Sequence, residues 1–166
     1  SRAIRMIRGK AEEYRITPEQ IAVCGFSAGG HLAATGLVTL KGELKPDFGI
    51  LVYPVISMKK NITHQFSRFN LMGKSPSEDT VIKFSTEEQV AEDTPATILF
   101  HCSDDPAVKP ENSIVFYQAL LRNAVPAEMH VYPKGRHGWG FIEGAPFPYF
   151  NEFKTTVLRW IAEQNN

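Results

Sequence analysis

The chain has 166 residues, 43% hydrophobic and 22% charged, and its 18 basic and 18 acidic side chains cancel to a formal net charge of zero. That is an ordinary globular composition, long enough for one domain with a core, and it offers no basic excess for nucleic acid or an anionic membrane surface. No apolar run approaches the ~18–20 residues of a membrane span, SRAIRMIRGK has no signal-peptide h-region, the two cysteines make no disulfide framework, and neither CxxC nor HExxH occurs, so no metal or cofactor is expected.

Taken in chain order, residues 3–15 place Ala3, Ile4, Ile7, Ala11 and Tyr14 at the spacing of one helix face. ITPEQ follows as a turn with Pro18 as breaker. IAVCGF (21–26) is a short continuous apolar run, which predicts a strand buried on both faces of a parallel sheet. AGGHLAATGLVTL reads as a helix packed on that strand. FGILVYP (48–54), ATILFHC (96–102) and AEMHVYP (127–133) are further strands. PENSIVFYQALLRNA (110–124) is a helix with Pro110 near its start, where a missing N–H costs nothing, and NEFKTTVLRWIAEQ (151–164) is a closing amphipathic helix. Alternating strands and helices predict a parallel α/β sheet. Residues 57–94 interrupt the alternation as a polar, irregular insertion with short helices near 77–84 and 86–91. The insertion is either a surface crossover or, lying over the carboxyl ends of the strands, a contributor of substrate contacts.

Gly25-Phe26-Ser27-Ala28-Gly29 is a G-x-S-x-G between a predicted strand and a predicted helix. A nucleophilic serine projects from such a turn only with strained backbone angles and small neighbours, and Gly25, Gly29 and Gly30 are expected to supply the room. The turn places Ser27 at a helix N-terminus, where the Ala28 N–H becomes an oxyanion donor. Serine also needs a base. Of five histidines, His31 lies further along the same helix and reads as a packing or hydrogen-bonding residue, His64 lies in the insertion as a surface or substrate residue, and His101 and His130 lie in strands and read as structural. His137 stands in KGRHGWGF, a glycine-rich loop after the last strand, and is the candidate base. Asp104 and Asp105 follow the third strand, giving the order Ser, Asp, His. Asp105 is the candidate acid, because Val108 three positions on can anchor its loop; Asp104 is left as a capping neighbour. Cys24 and Cys102 end two strands separated by a third, roughly 9–10 Å apart, which predicts buried free thiols.

These motifs together resemble the α/β-hydrolase superfamily, and more narrowly the bacterial carboxylesterases of the acetyl-xylan-esterase-like and hormone-sensitive-lipase-like groups. The resemblance rests on ITPEQIAVCGFSAGGHLAA, on SRFNLMGKSPSEDTVIKFSTEEQV with DTPATILFHCSDDPAVKPENSIVFYQALL, and on HVYPKGRHGWG. It implies a three-layer α/β/α hydrolase domain over residues 1–166, with Ser27 as nucleophile, Asp105 as acid, His137 as base and Ala28 as half of the oxyanion hole. The stretch from His64 to Ser85 resembles a segment of the acetyl-xylan-esterase-like members, which implies short acyl esters, acetyl groups on a carbohydrate among them. Family members begin with several more strands and carry a second oxyanion donor in an HGGG-type loop there. The chain therefore resembles the C-terminal portion of the fold, about the last four strands and their helices. A longer natural gene product is expected, as is an unpaired apolar edge on strand 21–26. A prolyl-oligopeptidase-type peptidase, a kynurenine-formamidase-like amide hydrolase and a non-catalytic binding module are the alternatives. The peptidases commonly have tyrosine after the nucleophile, where this chain has Ala28.

Overall fold

The computed structural model describes residues 2–142 and 146–164. Its strands are β1 (Ala22–Phe26), β2 (Phe48–Val52), β3 (Thr97–Cys102) and β4 (Ala127–Tyr132). Its helices are α1 (Arg2–Arg8), α2 (Ala11–Tyr14), α3 (Ser27–Thr39), α4 (Gln65–Met72), α5 (Glu78–Phe84), α6 (Glu111–Arg122) and α7 (Phe150–Glu163). The strands pair in parallel in the order β1-β2-β3-β4, with Ile50 opposite Ile98 and Leu51 opposite Leu99.

Side chains alternate across a strand, so each inner strand feeds two cores. Ile50, Val52, Ile98 and Phe100 point to one face and pack with Phe153, Val157 and Trp160 of α7. Leu51 and Leu99 point to the other and pack with Ala34 and Leu37 of α3 and with Phe116 and Leu120 of α6. Three layers result, with every residue of β2 and β3 buried. Each such large apolar side chain contributes about 1.5–3 kcal/mol relative to exposure, so the central pair holds the sheet. A third cluster joins Val55, Met58 and Val108 to Met72, Val81 and Phe84. It ties the insertion to the end of the sheet from which the candidate loops emerge.

The outer parts depart from the sequence reading. Residues 3–15 form not one helix but two, broken by a turn at Gly9-Lys10, and α1 buries none of its residues. Glycine in a helix interior costs about 1 kcal/mol, and here no core contact offsets it. β1 is not buried on both faces: Ala22 and Cys24 are exposed, because β1 is the outermost strand and pairs with β2 alone among the described residues. Cys24 is therefore not a buried thiol. Cys102 is, and burial pushes its pKa up to about 12. Both cysteines are free, with β2 between their strands.

The insertion also differs. The helix at 77–84 forms as α5, capped by Ser77, whose Oγ accepts the Thr80 N–H. The helix near 86–91 is instead a single 3₁₀ turn, Thr86–Glu88. Its approach is pinned by Ser85, whose Oγ accepts the buried Met58 N–H. α4 was not foreseen. Its cap is His64, whose Nδ1 accepts the Ser67 N–H, and it buries Arg68, whose Nε donates to Met58 O at 2.8 Å. No described helix is long and apolar enough to cross a membrane.

Candidate active site

β1 ends extended at Phe26, and α3 starts at the next residue. The chain reverses through Ser27 at φ 53°, the left-handed region, which costs a non-glycine residue roughly 1–2 kcal/mol. Two glycines make the turn possible. A Cβ on Gly25 would lie 2.4 Å from Gly29 O and 2.7 Å from Ala33 Cβ; one on Gly30 would lie 2.6 Å from Pro54 Cβ. The third does not fit the expectation: a Cβ on Gly29 meets nothing within 4 Å. The turn is held from below by Val55 N–H, which donates to Ser27 O at 2.9 Å. Ala28 is exposed, and its N–H lies in the first turn of α3, where donors have no intrahelical acceptor.

The structure brings Ser27, His137 and Asp105 together. Ser27 Oγ lies 2.8 Å from His137 Nε2, and His137 Nδ1 lies 2.6 Å from Asp105 Oδ2. A carboxylate only accepts, so Nδ1 carries the imidazole proton and Nε2 is left to accept from the serine hydroxyl. The Asp105 side chain has no exposed surface, whereas His137 keeps 20%. Burial alone would raise the Asp105 pKa. Hydrogen bonds from His101, His137 and the Val108 and Ala107 N–H groups outweigh it and hold the carboxyl well below the usual range. Both N–H groups reach Oδ1 at 2.9 Å. Val108 is fully buried and anchors this loop.

Asp104, its exposed neighbour, caps the opposite loop instead: its Oδ1 accepts Arg136 N–H at 2.8 Å. The loop bearing His137 is bent by positive φ at Arg136, Gly138 and Gly140. Tyr53, the residue after β2, supports it. Its hydroxyl accepts Gly140 N–H at 2.9 Å, and its ring centroid lies 4.5 Å from that of His137. Tyr53 was not singled out in the sequence. Its own φ of 38° turns the chain just past β2, and only proline at 54 hints at that turn.

The other histidines stand apart from Ser27. His31 Nε2 bonds Phe84 O at 2.8 Å; burial lowers its pKa and the Phe84 bond partly offsets this. His130 pairs with Glu128 and stacks on Phe100. His64 caps α4, and His101 is buried under the acid loop. Beside the turn opens an apolar cleft of about 520 Å³, running from Ala28 along Leu32 to Phe66 and Leu71 of α4 and to Phe84. Two of the insertion's helices thus line the cleft beside Ala28.

Residues 3–163 match the model of the prolyl oligopeptidase family. The chain belongs to that family of α/β hydrolases. An acetylxylan esterase of Xylanibacter ruminicola is 33% identical over 161 residues, covering 95% of this chain and 33% of the relative. Endo-1,4-beta-xylanase B of Butyrivibrio fibrisolvens is 34% identical over 149 residues, covering 83% of this chain and 23% of the relative. The crystal structure of an acetyl ester-xyloside bifunctional hydrolase from Caldicellulosiruptor lactoaceticus superposes with a TM-score of 0.86 at 36% identity, over 98% of this chain and 63% of that one. The chain thus spans a third or less of the curated relatives it matches. Its parallel four-stranded sheet with flanking helices is part of the α/β-hydrolase fold.

Proposed function

We propose that residues 1–166 form the C-terminal part of a single α/β-hydrolase domain, with 57–94 as its insertion, and supply the working residues of a serine carboxylic ester hydrolase. The observation that carries this reading is the chain of hydrogen bonds from Ser27 Oγ through His137 to Asp105, ending on a serine held at positive φ. Ser27 Oγ attacks the ester carbonyl while His137 Nε2 takes its proton. The Ala28 N–H donates to the oxyanion, a kind of contact whose loss costs about 10²–10³ in rate in a comparable site. Asp105 stabilises the imidazolium, which then protonates the leaving alcohol. Water attacks the acyl-enzyme by the reverse sequence, and Ser27 is regenerated.

The substrate class we infer is a short acyl ester, acetyl above all, on a carbohydrate. Three relatives named for acetylxylan, xylan and xyloside chemistry support it. The insertion's α4 and Phe84 form the cleft wall beside Ala28 where a substituent would lie. A peptidase reading follows from the family's name alone, and it lacks the tyrosine expected after the nucleophile. In the naturally encoded protein, Ser27→Ala should lower kcat on p-nitrophenyl acetate by about 10⁴-fold or more. Retained hydrolysis would sink the assignment. Faster turnover of a prolyl p-nitroanilide than of acetyl esters by the unmodified protein would favour the peptidase.

A further inference from the structure

Asp105 Oδ2 faces a second imidazole that the proposed chemistry does not use. His101 is the next-to-last residue of β3, and its side chain has no exposed surface. Its Nε2 lies 2.9 Å from Val108 O and 3.4 Å from Asp105 Oδ2. Both oxygens only accept, so Nε2 carries the ring proton, donates it to Val108 O and lies close beside Asp105 Oδ2. Nδ1 is then free to accept from Ser113 Oγ, 2.7 Å away on α6. Val108 closes the circuit, since its N–H donates to Asp105 Oδ1 and its carbonyl accepts from His101. One imidazole thus joins β3, the acid loop and α6, and adds a donor on the side of the carboxylate that meets His137.

We propose that His101 is a positioning residue, which keeps Asp105 Oδ2 aimed at His137 Nδ1 without touching substrate. This rests on reading Ser27, His137 and Asp105 as the machinery. A buried histidine that served stability alone would have equally good hydrogen bonds. The two roles differ in what they do to the base. Loss of the His101 donor leaves the Asp105 charge less shared, which favours the His137 imidazolium and moves the acidic limb of the pH profile upward.

The test uses kcat, KM and the pH profile of kcat/KM for p-nitrophenyl acetate in the naturally encoded protein. His101→Leu should lower kcat about tenfold or more, because small displacements of a catalytic group are costly, with KM within about twofold. Its acidic limb should move to higher pH. His101→Gln keeps a donor near the Nε2 position and should recover kcat to within about threefold of the unmodified protein, with the limb restored. A folded His101→Leu with unaltered kcat and limb would overturn the proposal, as would a His101→Gln no better than His101→Leu. Should His101→Leu fail to fold, His101→Asn, whose shorter amide reaches toward Ser113 and not Asp105, takes its place under the same criteria. Active Ser27→Ala would refute the underlying machinery; inactive Ser27→Ala with unaffected His101 variants would refute this inference alone.

Discussion

The loop that carries Asp105 and the loop that carries His137 leave neighbouring strands, β3 and β4, yet they are held by different forces. Asp105 sits in a socket of hydrogen-bond donors aimed at its charge: two backbone N–H groups on Oδ1, and imidazoles on Oδ2. His137 has no such socket. Its loop is fixed by positive φ angles, by the Gly140–Tyr53 bond and by rings, with Trp139 stacked on Phe147 at 4.0 Å. The difference follows from the chemistry. In the proposed mechanism Asp105 keeps its charge and gains from donors locked to it, whereas His137 gains and loses a proton and is better held by shape, which is indifferent to its protonation state.

The comparison breaks most sharply at Asp105. In Asp105→Asn, Oδ1 still accepts from Ala107 and Val108, so the new amide NH₂ faces His137. Nδ1 must then accept and Nε2 carry the proton, the wrong tautomer for taking one from Ser27. We expect kcat to fall about 10³–10⁴-fold with the fold retained. A variant within tenfold of the unmodified protein would remove Asp105 from the machinery. The same substitution reports on acid stability. The folded pKa of Asp105 is depressed, so its contribution is fully present above the unfolded value of about 3.9 and is lost as pH falls toward the folded one. Urea midpoints should therefore decline more steeply below about pH 4 for the unmodified protein than for Asp105→Asn.

What was legible in the sequence follows the same division. The nucleophile turn is written locally, because a serine at φ 53° beside a close-packed helix demands Gly25 and Gly30. The loop of Asp105 was readable through Val108, whose burial sets its path. The two buried central strands announced themselves as apolar runs. The parts that escaped are the ones that depend on distant partners. β1 looks as apolar as β2, and only its place at the edge of the sheet among the described residues exposes Cys24. α4 begins with a histidine cap in place of Ser, Thr, Asp or Asn, and Phe66 and Phe69 are exposed, so neither a cap nor an inward apolar face betrays it. Gly29 reads like its neighbours, although its space is open. Tyr53 lies 87 residues from the glycine it holds.

On the base side, Tyr53→Phe keeps the ring against His137 and removes the acceptor for Gly140 N–H. The loss should be about 1 kcal/mol of stability, seen as a lower urea midpoint at unchanged slope. kcat should fall by only about tenfold or less, since the ring still fills its place. A fall as deep as that of Asp105→Asn would mean that the base, too, depends on a single hydrogen bond.

The smallest effect belongs to the residue with the same charge and the nearest sequence position. Asp104 is exposed, and its bond to Arg136 N–H bridges the two loops at the surface. In Asp104→Ala the Arg136 N–H can turn to water, so stability should change by no more than about 0.5 kcal/mol and kcat by about twofold. Adjacent aspartates would then differ by three orders of magnitude or so in their effect on turnover, a contrast that charge and sequence proximity cannot produce and burial can. If Asp104→Ala instead cost as much as Asp105→Asn, the tie between the loops, and not the donor socket around Asp105, would be what sets the geometry of His137.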